Sequence, residues 1–326
     1  MFVRILVPLD GSRLAERALQ PALQLAKSGM GELILLRVPE AKTMFEPSEA
    51  GLFNYDLLWP QQVLERSTQE AREYLETICS SIHEPDIRLW TLLIEGDPAS
   101  IIVDTAAREQ VDLIVMSTHG YSGIARWVMG SVTERVLRAA QRPVFIVRSS
   151  EPFRSILITL DGSELSEKAL EPGIEMAARL DCPVTLFRSV TRPSVDQAFA
   201  DQLEKLERGM GERVQRDGFR LAESYLVRLA KKHRRAGLDL KTVVATGPAA
   251  SEILDFVSQH GVGLTVMATH GRSGLNRWVH GSVTEKVLRA GCCSMLIVPA
   301  GFEHPTEALA SELGSEQLVA PQPSPN

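Results

Sequence analysis

DLIVMSTHGYSGIARWVMGSVTERVLRA, residues 112–139, runs in order through an apolar segment, a glycine-bearing loop and a helix-like stretch. The opening Leu, Ile and Val residues show little polar alternation, as in a strand of a parallel sheet buried on both faces. Glycines 120, 123 and 130, followed by Ser131, mark a loop that enters a helix. The phrase returns as GLTVMATHGRSGLNRWVHGSVTEKVLRA at residues 263–290. Between Met116 and Ser131, eleven of sixteen positions are identical in the second copy, so the loop was retained and not merely echoed.

The repeat, offset by 151 residues, organises the whole chain of 326. VRILVPLDGSRLAERALQP at 3–21 matches RSILITLDGSELSEKALEP at 154–172, whereas the stretches near 40–85 and 191–236 show little likeness. The boundaries follow as one domain at 1–149, a second at 152–300, and an acidic, Pro-rich tail at 301–326 whose composition predicts disorder.

Each domain alternates short apolar runs with helical patterns. In the first, ILVPL, ELILLRV, IRLWTLLI, DLIVMS and PVFIV read as strands. Segments 12–28, about 61–82, 98–110 and 131–140 carry apolar residues at helical spacing. Ser12, Ser163 and the Asp97–Pro98 pair sit where helix N-caps and first turns are expected. In the second domain, 201–236 is helix-like, with a break expected at Asp217–Gly218. The order predicts an α/β fold: two tandem, doubly wound, five-stranded parallel-sheet domains with flanking helices, Rossmann-like.

The bulk numbers exclude several classes of partner. A hydrophobic content of 44% with 23% charged residues is that of a soluble globular protein. The net charge is −6, and Glu303, Glu307, Glu312 and Glu316 of the tail carry most of it, so no electrostatic field invites nucleic acid or an anionic membrane. The basic cluster Arg228, Lys231, Lys232, Arg234 and Arg235 sits near a helix C-terminus and reads as a solvated face. No apolar run approaches the ~20 residues of a membrane span, and the four cysteines lack metal-ligand spacing. The expectation is a cytoplasmic protein.

In an open α/β sheet, ligands bind beyond the carboxyl ends of the strands, where the strand order reverses. Both loops lie at that edge, and Gly130–Ser131 and Gly281–Ser282 stand at the start of the following helix. Unpaired backbone N–H groups there favour an anion, and glycine lets the backbone approach an oxygen closely. Ser131 and Thr133 also suit plain capping. Asp10 and Asp161 follow the first strand of each half, where a carboxylate accepts from a ribose hydroxyl or an adenine amine, or helps hold a metal on phosphates. Asp-Gly-Ser is equally a turn with an N-cap. His119 and His270 stand beside the first loop glycine, as phosphate donors or as structural histidines.

VPLDGS, LILLRV and DLIVMSTHG…GS before a helix together resemble the universal stress protein family, in both halves. The resemblance implies a sheet of order 3-2-1-4-5 in each domain. In the ATP-binding branch of that family a G-x2-G-x9-G-[ST] signature holds the nucleotide, and here it falls on Ser117, Gly120, Gly130 and Ser131. In the copy it falls on Ala268, Gly271, Gly281 and Ser282, so both copies lack the first glycine. The resemblance implies Pro8, Leu9 and Asp10 near the adenosine, and Val38 along the adenine. It places Met116, Ser117, His119 and Gly120 on the ribose and phosphate side, and Gly130, Ser131, Val132 and Thr133 at the phosphates. Their counterparts are Asp161, Met267, Gly271, Gly281, Ser282, Val283 and Thr284. In the second half Thr159 replaces Pro8 and Ser189 replaces Val38, a less apolar lining.

The reading is an adenine-nucleotide-binding stress-response protein, with ATP and Mg2+ or Mn2+ as the implied ligands and no catalytic residues. Two alternatives stay open: a slow nucleotide hydrolase of related fold, and a nucleotide-free dimerisation module. Against the hydrolase, the chain has no Walker GxxxxGK[ST], no SGGxDS loop and no HxGH pair. The fifth strands, PVFIVRS and SMLIVPA, are expected to pair within the chain as a pseudo-dimer, across a linker of Ser149–Pro152. Association of two chains into a homodimer is not decided by the sequence.

Overall fold

In the computed structural model the described residues are 2–27, 31–39, 60–118, 129–148, 153–191, 210–269, 282–291 and 293–302. The linker 149–152, the tail beyond residue 302, and most of both glycine-bearing loops lie outside them.

The first half runs β1 (Arg4–Leu9), a 3-10 turn (Ala15–Ala18), α1 (Leu19–Lys27), β2 (Glu32–Arg37), α2 (Pro60–Ser81), β3 (Arg88–Leu93), α3 (Pro98–Arg108), β4 (Leu113–Ser117), α4 (Ser131–Ala139) and β5 (Val144–Val147). The second half runs β6 (Ile156–Thr159), α5 (Glu164–Glu167), α6 (Leu170–Leu180), β7 (Val184–Val190), α7 (Met210–Lys232), β8 (Leu240–Thr246), α8 (Ala249–His260), β9 (Leu264–Thr269), α9 (Ser282–Ala290) and β10 (Ser294–Pro299). All strands join one sheet of order β3-β2-β1-β4-β5-β10-β9-β6-β7-β8, which is 3-2-1-4-5 in each half. Pairing is parallel within a half, and the halves meet where β5 and β10 run antiparallel, Phe145 opposite Leu296.

Period-two alternation sorts the strand side chains onto two cores. Ile5, Val7, Leu33, Leu35 and Val115 face α1 and α2, while Leu6, Ile34, Leu36, Ile114 and Met116 face α3 and α4. Each core continues without interruption into the second half, through Ile158, Leu186 and Val266 on one face and Phe187, Met295 and Ile297 on the other. The join is also polar. Glu175 of α6 accepts from the Phe2 backbone N–H at 2.9 Å, and Arg179 donates to the Leu25 carbonyl at 2.6 Å. Arg148, just past β5, donates through Nη1 to the Cys293 carbonyl at 3.0 Å, and its backbone N–H donates to the Ser294 hydroxyl at 3.1 Å.

Two local expectations change. No break occurs at Asp217–Gly218: α7 passes through both residues as one helix of 23. An interior glycine costs a helix only about 1 kcal/mol relative to alanine, which the packed face of α7, with Ala222, Leu226 and Leu229 buried, outweighs. The segment expected as a helix from residue 12 begins instead as a 3-10 turn, with α-helix only from Leu19. The N-cap of that turn is Leu14, without a side-chain capping bond, and Ser12 stands two residues before it, its hydroxyl accepting from the Ala15 N–H at 3.1 Å. Ser163 and Asp97 cap as expected, accepting from the N–H groups of Ser166 and Ser100.

Candidate functional site

A cleft opens at the carboxyl ends of β1, β2 and β4, at the point where chain order reverses between β1 and β4. Pro8, Leu9 and Asp10 come from the end of β1, Leu36, Arg37 and Val38 from the end of β2, and Met116 and Ser117 from β4. Pro98 and Ile102 of α3 close the apolar side, and Gly130, Ser131, Val132 and Thr133 bring in the start of α4. Strand ends fix these backbones in register, so the wall positions are set by the sheet and not by a mobile loop.

The chemistry of the cleft is divided. Leu36, Val38, Ile102 and Met116 make a dry wall, all but wholly buried. The α4 end is polar. Its N-cap, Gly130, is extended (φ −62°, ψ 144°) and makes no side-chain capping bond. Among the described residues no side chain caps the first turn of α4, whose residues line the cleft with the positive end of the helix dipole behind them. Asp10 stands between the two regions, one carboxyl oxygen accepting from the Ser12 N–H at 2.8 Å.

The equivalent cleft in the second half is lined by Thr159, Leu160, Asp161, Ser163, Phe187, Ser189, Met267, Ala268, Thr269, Val283 and Thr284, among others. Asp161 accepts from both the N–H and the hydroxyl of Ser163, at 2.8 and 2.6 Å. Burial pushes its carboxyl up, but these bonds and those involving Ser166 outweigh it, so it titrates below the ordinary carboxylate range. Ser189, in the place of Val38, turns its hydroxyl to the Gly247 carbonyl at 2.7 Å.

The structure thus gathers Pro8, Leu9, Asp10, Val38, Met116, Ser117, Gly130, Ser131, Val132 and Thr133 around one cleft, and Asp161, Met267, Val283 and Thr284 around its counterpart. His119, Gly120, Gly271 and Gly281 lie outside the described residues, as does His270. Ser282 is placed only as the first residue of α9. Ser117 and Ala268, where the signature has glycine, both line their clefts.

A second repeated constellation was not visible in the motifs. Tyr74 of α2 donates to Glu16 at 3.1 Å, and Tyr225 of α7 donates to Glu167 at 3.0 Å. Burial, reinforced by the neighbouring glutamate, pushes both phenols above their ordinary range. Beside each pair stands the last arginine-bearing position of the second strand, Arg37 or Arg188, close to Gly11 or Gly162. All of these pairs are 151 residues apart. The signal was therefore present at single positions, hidden because the surrounding middles differ.

Among the described residues, no cluster of three His, Cys, Asp or Glu side chains is arranged to hold a metal, and no helix is long and apolar enough to cross a membrane.

The family model for the universal stress protein family matches residues 1–148 and again 152–299. The chain belongs to the universal stress protein family. It carries two copies of the family's domain in tandem. A universal stress protein of Methanocaldococcus jannaschii is 31% identical over 149 residues, 45% of this chain and 83% of that protein. Universal stress protein YxiE of Bacillus subtilis is 30% identical over 148 residues, 45% of this chain and 100% of that protein. Over nearly the whole chain, a universal stress protein from Archaeoglobus fulgidus superposes with a TM-score of 0.65 at 19% identity, covering 92% of this chain and 100% of that one. A functionally unknown protein from Pseudomonas aeruginosa gives 0.58 at 18% identity, covering 97% and 98%. These two share the tandem fold.

Proposed function

We propose that this universal stress protein binds an adenine nucleotide, ATP foremost, in the cleft of its first half, and acts by binding and signalling rather than by turnover. One observation carries the reading: the α4 N-terminus, which no side chain caps among the described residues, lines the same cleft as Asp10 and the dry wall of Val38, Ile102 and Met116. That arrangement offers a polar anion seat and an apolar slot at the two ends of one cavity, which suits the phosphates and the base of a nucleotide. Asp10 lies where a ribose hydroxyl, or Mg2+ or Mn2+ on the phosphates, would be met. The second cleft offers the same plan with a more polar slot, through Thr159 and Ser189. The antiparallel pairing of β5 with β10 supports reading the chain as an internal pseudo-dimer of two such units, and the setting we propose for it is the cytoplasm.

The test is direct. Purified protein is heat-denatured and the supernatant analysed for released nucleotide, then the intact chain is titrated with ATP in the presence of Mg2+. Adenine nucleotide in the supernatant, and an affinity lowered in Gly130→Val, support the reading. The absence of binding to either half at millimolar ATP overturns it, and turnover above the buffer rate that disappears in Gly130→Val replaces it with a hydrolase.

A further inference from the structure

The two clefts differ in one charge. Arg37 lines the first cleft, next to Asp10, Leu14, Ala15 and Val38. Among the described residues its one hydrogen bond runs from Nη1 to the Val38 carbonyl, at 3.1 Å, and its Nε is buried with no partner. A guanidinium carries five donors and stays charged at all working pH values, so among the described residues most of the donor capacity of Arg37 meets no partner. Its counterpart Arg188 is spent elsewhere. The Arg188 guanidinium lies over the Tyr225 ring, 5.0 Å from its centre, and beside Gly162, where an added Cβ would come within 2.8 Å of it. The same construction at Gly11 leaves 3.7 Å to Arg37. Arg188 accordingly does not line the second cleft.

We infer that Arg37 is a ligand-contacting residue that sets the affinity and selectivity of the first cleft, and that the second cleft, with Arg188 withdrawn onto Tyr225, binds the same nucleotide more weakly. The inference rests on the nucleotide reading above and deepens it. Arg37 and the start of α4 stand on opposite sides of β1, because β1 lies between β2 and β4 in the sheet. A nucleotide with its phosphates on α4 therefore presents its nucleoside end to Arg37. There Asp10 accepts a hydrogen bond from a ribose hydroxyl while Arg37 donates one to the hydroxyl oxygen, a charge-assisted donor–acceptor clamp made by two side chains. The second cleft retains the acceptor, Asp161, and lacks the donor.

The experiment is calorimetric titration of the full chain with ATP and, separately, with adenosine, for wild type, Arg37→Met, Arg37→Lys and Arg188→Met. Wild type is expected to show one tighter and one weaker site. Arg37→Met is expected to weaken the tighter site by about tenfold or more, the scale of a hydrogen bond to a charged donor, for both ligands alike. Arg37→Lys restores part of that loss, and Arg188→Met leaves both affinities within about twofold while lowering the melting temperature, since it removes only a stack. Unchanged ATP affinity in a folded Arg37→Met overturns the inference and leaves the nucleotide reading standing. A loss seen with ATP and not with adenosine overturns the clamp, since the contact would then be to phosphate. Should Arg37→Met fold poorly, Arg37→Gln gives the same comparison. No ATP binding in wild type overturns both readings.

Discussion

Arg135 of α4 grips Asp97, the N-cap of α3, with two hydrogen bonds, Nη1 to Oδ1 at 2.6 Å and Nη2 to Oδ2 at 2.7 Å. The fork ties the helix whose start forms the polar end of the cleft to the helix that closes its apolar side. The second half has no such tie, since Pro248 and Lys286 stand at the equivalent positions. The Arg135 fork, then the Ser100 N–H and hydroxyl, hold the Asp97 carboxyl well below the ordinary carboxylate range.

The sign of the pH effect follows. A carboxyl lowered in the folded state contributes stability that is complete above its unfolded value of 3.8, and that is lost as the pH falls through the folded value. Asp97→Asn keeps a good N-cap but removes the charge and one of the two acceptors of the Arg135 fork. Melting temperatures measured from pH 7 down to pH 2 should show wild type above Asp97→Asn at neutral pH, with the gap closing below about pH 4. The pair is exposed, so the gap is small and shrinks with added salt. A gap independent of pH would mean that the fork contributes packing and no charge.

Arg179 and Glu175 form the opposite case, an ion pair within α6 with 7% and 13% of its side chains exposed, whose members each also bond the first half, at the Leu25 carbonyl and the Phe2 N–H. Arg179→Ala strips the Leu25 carbonyl and Glu175 of a donor at once and leaves a charge in a place water hardly reaches. The expected cost is about 3 kcal/mol, on the scale of breaking a buried pair. Urea denaturation at pH 7 measures it, and a loss below about 1 kcal/mol would show that the pair is solvated in the free chain.

Much of this architecture was legible in the residues, for a physical reason. Strands such as Leu113–Ser117 are buried on both faces, so nearly every position is apolar, and the repeat doubles each signal. The clefts were legible through Asp10, Gly130 and Val38, because strand ends in a doubly wound sheet are forced to one edge. Side-chain direction was not. Nothing in a string of letters tells Arg37, open to a cleft, from Arg188, folded onto Tyr225, since that choice turns on the distance of each guanidinium from its glycine. The α7 segment misled in the other direction, because Asp217–Gly218 is a turn signal locally and the buried face of a long helix overrides it.

Phe145, fully buried in β5 opposite Leu296, packs its ring 5.6 Å from that of Phe153. Both cores run through this seam, so the halves should unfold together. Phe145→Ala is expected to cost about 3–5 kcal/mol, the range for removing a buried phenyl ring. Scanning calorimetry of wild type should give one transition, with calorimetric and van't Hoff enthalpies that agree. Two resolved transitions in wild type would show that the seam does not couple the halves.

The two Asp-Gly-Ser turns offer the cleanest comparison of the halves. Gly11 and Gly162 both have positive φ, +85° and +93°, so alanine at either meets a backbone strain of about 1–2 kcal/mol. At Gly162 the new Cβ also displaces the Arg188 guanidinium from its place against the turn, and with it the stack on Tyr225. Gly162→Ala should therefore destabilise more than Gly11→Ala, by about 0.5–1 kcal/mol, the worth of an exposed cation–π contact. In an Arg188→Met background the stack is already gone, so the extra cost of Gly162→Ala should vanish while the strain remains. Equal penalties for the two glycines in the wild-type background would show that Arg188 yields freely, and that its position under Gly162 stabilises nothing.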